Sequence, residues 1–230
     1  ALAARQQWGS QGVWFPETTW FDGLEELPDD IAAEMRELCL VRKPWDQRSE
    51  RFRLFARNKQ TFNSRWNWIG AGRWMNGDYV CDNKGAGSFG HVTHIFSSTA
   101  KIAYLYWLRY EYSLDAAWLR KTGYPVIKGV VEFYRNFPNM RKGPDGKYHI
   151  NNVNNGEGEW NSSDTVEEVG AMRALTPIAI RASEILGVDA ELRPLWKEFY
   201  DNMPPLPAGP QPAGYYDLIT FASDDADSLA

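Results

Sequence analysis

IFSSTAKIAYLYWLRYEYSLDAAWLRKTGYPVIKGVVEFYRN, residues 95–136, is the stretch that decides the fold. Its apolar side chains recur at helical spacing: Ile95, Ile102, Leu105, Tyr106, Leu108 and Tyr112, then Trp118, Leu119, Ile127, Val130, Val131 and Tyr134. Ser113-Leu114-Asp115 interrupts the pattern, and Asp115 is placed to cap the second helix. Pro125 lacks an amide hydrogen and is expected to bend or split that helix. Two helices joined by so short a break run antiparallel, so the stretch reads as an αα-hairpin.

Downstream, Asn139 to Ile150 reads as a β-hairpin turning at Gly143-Pro144-Asp145-Gly146. A polar loop follows, and Asp164-Thr165-Val166-Glu167 then predicts a helix start with Asp164 as the capping acid. That helix carries Val169, Met172, Leu175 and Ile185 on one face, kinks at Pro177 and stops at Gly187. A further helix is predicted from Asp189 to Tyr200, closed by Pro204-Pro205-Leu206-Pro207, which makes a second αα-hairpin. Residues 208–230 are rich in Pro, Gly, Asp and Ser and read as an irregular tail.

Upstream, Pro28-Asp29-Asp30 opens a helix with Ile31, Met35 and Leu38 on one face, ending before Pro44. Phe52, Phe55 and Phe62 suggest a short helix. Residues 8–27 and 66–74 read as glycine-punctuated loops. The fold class is therefore mainly α, a toroid or (α/α) barrel of helical hairpins forming a single domain over 1–230. About six helices of ordinary length are too few to close a six-hairpin barrel, so the chain reads as part of one.

Composition narrows the functions. With 25 basic and 30 acidic residues the net charge is −5, and no basic run tracks phosphates, so nucleic acid is not an expected partner. No apolar run reaches the length of a membrane span, and the opening Ala1-Leu2-Ala3-Ala4-Arg5 lacks a signal-peptide pattern. Cys39 and Cys81 could pair or not, and Cys39, in an apolar helical stretch, reads rather as a buried thiol. Seven of the eleven tryptophans fall in the first 74 residues, more than a helical core requires there. Indole faces stack on the C–H faces of sugar rings, although large aromatics also simply fill loop-rich regions.

The chemistry is placed in His149-Ile150-Asn151-Asn152-Val153-Asn154-Asn155-Gly156-Glu157-Gly158-Glu159-Trp160. Each asparagine offers a donor and an acceptor, which suits a ligand covered with hydroxyls. A carboxyl at the lip of an aromatic-walled cavity has its pKa raised and can serve as a general acid. Glu157 and Glu159 are the two choices, and in an extended loop they point to opposite sides, so one reaches the cavity. Glu17 stands among Trp14, Phe15, Trp20 and Phe21, either as a structural acid or as a second site carboxylate. His91 and His94 are three apart before the long helix, but no zinc spacing completes them. His94 is expected to hydrogen-bond at the helix start, facing the same cavity. Asp78, Asp82 and Asn83 do not fit an EF-hand loop, so no metal and no cofactor is expected.

Four stretches resemble the bacterial six-hairpin glycosidases around glycoside hydrolase family 95, the α-L-fucosidase-type enzymes. Gly9 to Thr18 is similar to the family's entry loop, and Ile95 to Phe137 to its middle hairpin. Asn154-Asn155-Gly156-Glu157 stands where that fold presents its general acid, and Ala171 to Pro207 resembles the next hairpin. The family's entry loop carries asparagine where this chain has Glu17. The base-holding aspartate expected further on is not assigned to Asp217, Asp224, Asp225 or Asp227.

The resemblance implies an inverting, exo-acting glycoside hydrolase for an α-linked deoxysugar such as L-fucose in a complex glycan. Glu157 is then the general acid and Glu17 the second carboxylate. Asn152, Asn154, Asn155 and His94 are substrate-binding candidates, with Trp14, Trp20 and Trp160 as stacking walls. The partners expected are an oligosaccharide or polysaccharide and further segments of the same enzyme, in a periplasmic or secreted setting. A non-catalytic carbohydrate-binding or scaffold protein, and a polysaccharide lyase on a similar toroid, are the alternatives. The acid-rich site segments disfavour the lyase, which prefers a basic cleft.

Overall fold

A computed structural model describes residues 1–15, 26–40, 42–43, 47–59, 73–74, 78–79, 94–155 and 159–206. The chain opens with a π-helical turn, Ala4–Trp8, that ends at Gly9 in the left-handed conformation at φ 68°. Trp8, expected in a loop, therefore closes a helical turn. Helix α1 (Asp29–Cys39) starts on two acids and buries Ile31, Ala32, Met35 and Cys39 on one face. Helix α2 (Glu50–Lys59) is capped by Ser49, whose Oγ accepts from Phe52 N at 3.1 Å. A short antiparallel ribbon, β1 (Arg73–Trp74) with β2 (Asp78–Tyr79), follows.

Helix α3 (Ser97–Ser113) stops where Leu114 turns left-handed at φ 53°. Asp115 then caps α4 (Ala116–Trp118), accepting from Trp118 N at 2.9 Å, as its position predicted. The helix expected over 116–136, bent or split by Pro125, is divided into three parts. A π-helical segment, Leu119–Gly123, separates α4 from α5 (Tyr124–Arg135) and places Pro125 in the first turn of α5, where a missing amide hydrogen leaves no bond unmade. Antiparallel pairing orders the next three strands β3 (Met140–Lys142), β4 (Tyr148–Asn155) and β5 (Glu159–Ser163). The predicted turn joins β3 to β4: Gly146 has φ 79°, and Lys147 N donates to Asp145 Oδ1 at 3.0 Å.

Helix α6 (Val166–Leu186) carries Pro177 inside it and ends at left-handed Gly187. Arg120 Nη2 donates to the Leu186 carbonyl at 2.6 Å, satisfying a helix-end acceptor. Helix α7 spans Arg193–Asp201, four residues later than the start expected at Asp189. Asp189 instead lies at φ 50° and accepts from Tyr124 Oη at 2.6 Å and Lys128 Nζ at 2.8 Å, which commits its carboxylate to α5. Among the described residues no helix is long and apolar enough to cross a membrane.

Helices α3 and α5 form one αα-hairpin and α6 and α7 the next, with the β3–β4–β5 insertion between them. This is the repeating wall unit of an (α/α) barrel. The deepest core is aromatic: the Trp8 ring meets Trp14, His94, Phe96 and Phe137 edge-on at 4.9–5.9 Å. The N-terminal segment crosses α5 at backbone distance, where Val13 N donates to the Gly129 carbonyl at 2.7 Å. A Cβ on Gly12, which has φ 88°, would stand 2.2 Å from that carbonyl oxygen, and one on Gly129 would stand 2.5 Å from Val13 Cγ2.

Two glycines should therefore respond differently to one added methyl. Gly12→Ala meets both a left-handed backbone and a fixed carbonyl, and is expected to lower stability by about 3 kcal/mol. Gly187→Ala meets no atom within 4 Å and should cost only about 1 kcal/mol for its positive φ. Urea unfolding midpoints measure both, and equal losses would contradict the close crossing.

Candidate active site

The end of the molecule where α3 and α6 begin is organised by Glu168. It lies in the first turn of α6, in phase with the buried Met172, Leu175 and Ala179, so its carboxylate points into the core and is 0% exposed. Oε1 accepts from Phe96 N at 2.6 Å and from Ser97 N at 3.1 Å, and Oε2 accepts from Tyr134 Oη at 2.7 Å. Phe96, the residue that would cap α3, makes no side-chain cap bond of its own, so α6 supplies the cap. The contact also shows that α3 and α6 run parallel and start at the same end.

Burial drives the Glu168 pKa from 4.5 up to about 7, against the three hydrogen bonds that favour the charged form, with the charge of nearby Glu167 adding to the rise. The buried Tyr134 phenol, beside this carboxylate, is held well above its ordinary value.

Both segments predicted to carry chemistry arrive at this end. Thr99, in the first turn of α3, accepts from Phe15 N at 3.0 Å and donates to Phe15 O at 3.2 Å. Ser10 Oγ donates to the Phe133 carbonyl at 2.9 Å. The chain thus reaches residue 15 tied to the start of α3. From the other side, β5 runs into α6 through Asp164, at φ 49°. Asp164 Oδ1 accepts from Ile150 N at 2.9 Å, and Oδ2 lies 2.5 Å from His149 Nδ1. Asp164 therefore locks the base of the β4–β5 hairpin. Thr165 takes the N-cap position of α6, without a side-chain cap bond, in place of the Asp164 cap expected from the sequence. Asp164 raises the His149 pKa by its hydrogen bond, burial opposes it, and Asp145, 3.2 Å from Nε2, adds to the rise.

The predicted site residues fall into three groups. Trp14 and His94 are 3% exposed and belong to the aromatic core. Trp14 meets Trp8 edge-on at 5.5 Å, and His94 Nε2 contacts the Cys39 carbonyl at 3.0 Å. The cavity-facing position expected of His94 is not what its burial gives, because a ring packed on Trp8 is closed off from solvent. Asn152, Asn154, Asn155 and Trp160 all lie on the β4–β5 hairpin, where Asn155 pairs with Glu159 across the strands. Asn152 is left-handed at φ 58°, and its Oδ1 accepts from Asn139 Nδ2 at 2.7 Å. Glu157, Glu17, Trp20, His91 and Cys81 lie outside the described residues.

Reading the sequence missed Glu168, Tyr134 and Thr99. One signal was available for the first: a carboxylate on the apolar stripe of a helix needs a partner, and Glu168 is in register with that stripe. Among the described residues no group of His, Cys, Asp and Glu side chains is arranged to hold a metal ion.

Residues 54–213, more than half of the chain, match the glycosyl hydrolase family 95 catalytic domain. The chain belongs to that family. The family is one of glycoside hydrolases, which implies a glycan substrate. A search of curated proteins finds no match.

The pH dependence of stability tests the buried acid. Glu168 has a folded value of about 7, above its ordinary 4.5, so its stabilising share is complete below about 4.5 and is lost as pH rises to about 7. Glu168→Gln keeps an acceptor for the Phe96 and Ser97 amides and cannot ionise. Urea midpoints of variant and wild type should therefore diverge in the variant's favour as pH rises from about 4.5 to about 7. A difference that stays constant with pH would contradict a buried, titrating Glu168.

Proposed function

We propose that this protein is an inverting, exo-acting glycosidase that removes an α-linked deoxysugar such as L-fucose from a complex glycan. Glu157 gives its proton to the departing glycosidic oxygen as the bond to the anomeric carbon breaks. A water attacks that carbon from the opposite face and passes its proton to Glu17. Inversion in this manner asks for carboxyl groups about 6.5–9.5 Å apart, enough to admit the water. Trp20 and Trp160 stack on the sugar, and Asn154 and Asn155 hold its hydroxyls. Trp14, His94 and Asn152 are engaged within the fold. An enzyme for complex external glycans works in the periplasm or outside the cell.

The observation that supports this reading is the convergence at one end of the α3–α6 pair. Phe15, two residues before Glu17, is tied to α3 by Thr99, and the hairpin whose sequence includes Glu157 is locked at its base by Asp164. Phe15 and Asp164, far apart in sequence, are anchored beside the starts of α3 and α6 in a chain of a glycoside hydrolase family. Loops on a rigid helical frame are where such a fold places reacting groups.

Hydrolysis of fucosylated, galactosylated and rhamnosylated oligosaccharides, followed by NMR, tests it. Wild type should release one sugar as the inverted anomer, and Glu157→Gln should lower kcat by about 10²–10⁴-fold. Retention of configuration would overturn the mechanism. A folded wild type that binds sugar and releases none would point to a carbohydrate-binding protein instead.

A further inference from the structure

His149 stands at the base of the β4–β5 hairpin with a carboxylate on each of its ring nitrogens. Nδ1 lies 2.5 Å from Asp164 Oδ2, and Nε2 lies 3.2 Å from both oxygens of Asp145. A neutral imidazole has one N–H and one lone pair, so it serves one of these acceptors and sets its lone pair against the other. The imidazolium has two N–H groups and serves both. This geometry selects the charged ring. Its pKa is raised above 6.5 by the Asp164 hydrogen bond, against burial, with Asp145 adding to the rise. Arg141, paired with His149 across the β3–β4 ladder, brings a like charge that the two carboxylates outweigh.

The two carboxylates belong to different parts of the fold. Asp145 lies in the β3–β4 turn, where its Oδ1 also accepts from Lys147 N at 3.0 Å. Asp164 lies between β5 and α6, and its Oδ1 accepts from Ile150 N at 2.9 Å. The turn leaves the ring little room: a Cβ on Gly143 would stand 2.8 Å from Asp145 Oδ1 and 2.9 Å from His149 Cδ2. One charged ring therefore ties the β3–β4 turn and the first residues of β4 to the entry of α6.

We propose that His149 is a positioning residue, an imidazolium latch that holds the β4–β5 hairpin on the entry of α6 and loosens when it loses its proton. The proposal rests on the glycosidase reading only for what the hairpin presents, the segment with Glu157. Below about 6.5 the ring is charged and the latch contributes in full. As pH rises through the higher folded value the ring becomes neutral, the bond to Asp145 is lost and the hairpin base opens.

Nitrogen NMR of the imidazoles from about pH 5.5 to about pH 9 reads the ring, with His149→Gln assigning its signal among the three histidines. Hydrogen exchange of the β4 and β5 amides, corrected for intrinsic rates, reads the hairpin, and kinetics on the oligosaccharide panel read the reaction. His149→Gln keeps a donor and cannot carry charge, while Gly143→Ala crowds the contact with Asp145 and leaves the ring titratable. Both variants are checked for folding by circular dichroism. Both His149 nitrogens should be protonated at the acid end and titrate above 6.5, with a lower midpoint in Gly143→Ala. Below that midpoint hairpin protection should be about threefold greater in wild type than in His149→Gln, and the ratio should fall toward one above it. The kcat ratio should follow the same course from about fivefold, with KM within about twofold, and taking the ratio cancels the titration of Glu157 itself. A His149 that titrates below 6.5, or a protection ratio that does not change with pH, overturns the latch. If wild type hydrolyses the panel and Glu157→Gln impairs it, while His149→Gln matches wild type in kcat at every pH, the positioning role is wrong and the reaction stands. If wild type hydrolyses nothing, yet the protection ratio follows the His149 titration, the latch stands and the reaction reading fails.

Discussion

A single carboxylate with three donors around it is the constraint on which this structure depends. A buried glutamate is unfavourable unless its oxygens are satisfied, and the donors that satisfy Glu168 come from two other helices. Phe96 and Ser97 present the start of α3, and Tyr134 presents the last turns of α5. These bonds fix the height of α3 against α6 to within hydrogen-bonding tolerance, which apolar packing alone would not do, since hydrophobic contact is non-directional. Helices α3, α5 and α6 are thus brought into register at one point, and that point lies at the end where the loops are.

Phe15 and the base of the β4–β5 hairpin inherit their positions from it. Thr99 stands two residues into the capped turn of α3 and grips both backbone groups of Phe15, so fixing α3 fixes Phe15. Glu168 lies four residues after Asp164, whose carboxylate holds Ile150 N and His149. Fixing α6 therefore fixes the base of the β4–β5 hairpin. This end of the molecule is locked through hydrogen bonds to backbone as well as through packing. The left-handed backbone at Asn152 and Asp164 belongs to the same arrangement, because each turns a side chain toward a bond it makes at the hairpin base.

Much of the helical frame was legible in the sequence because its signals are local. Asp115 caps, Gly187 terminates and the Gly143–Gly146 turn forms as their residue types dictate, whatever the rest of the chain does. The errors fall where a side chain serves a distant partner. Asp164 and Asp189 both look like helix starts, but their carboxylates are taken by Ile150 and His149 in one case, and by Tyr124 and Lys128 in the other. Pro125 was read as a break, and the π-helical segment ahead of it gives that break its form. Trp14 and His94 share a composition with sugar-binding loops, yet Trp8 closes a helical turn against them and makes them core. Glu168 was passed over because its importance lies wholly in residues 34 to 72 positions earlier in the chain.

The central claim is that this helix-start end is where the glycan is cut, between the hairpin loop and the entry segment. A crystal structure of the Glu157→Gln variant with a bound oligosaccharide tests it most directly. The glycosidic oxygen should lie within hydrogen-bonding distance of residue 157, with the Glu17 carboxylate on the other side of the sugar, about 6.5–9.5 Å from it. A glycan bound instead at the opposite end of the helices, beside Tyr124 and Lys128, or a Glu17 turned away from the sugar, would contradict the account.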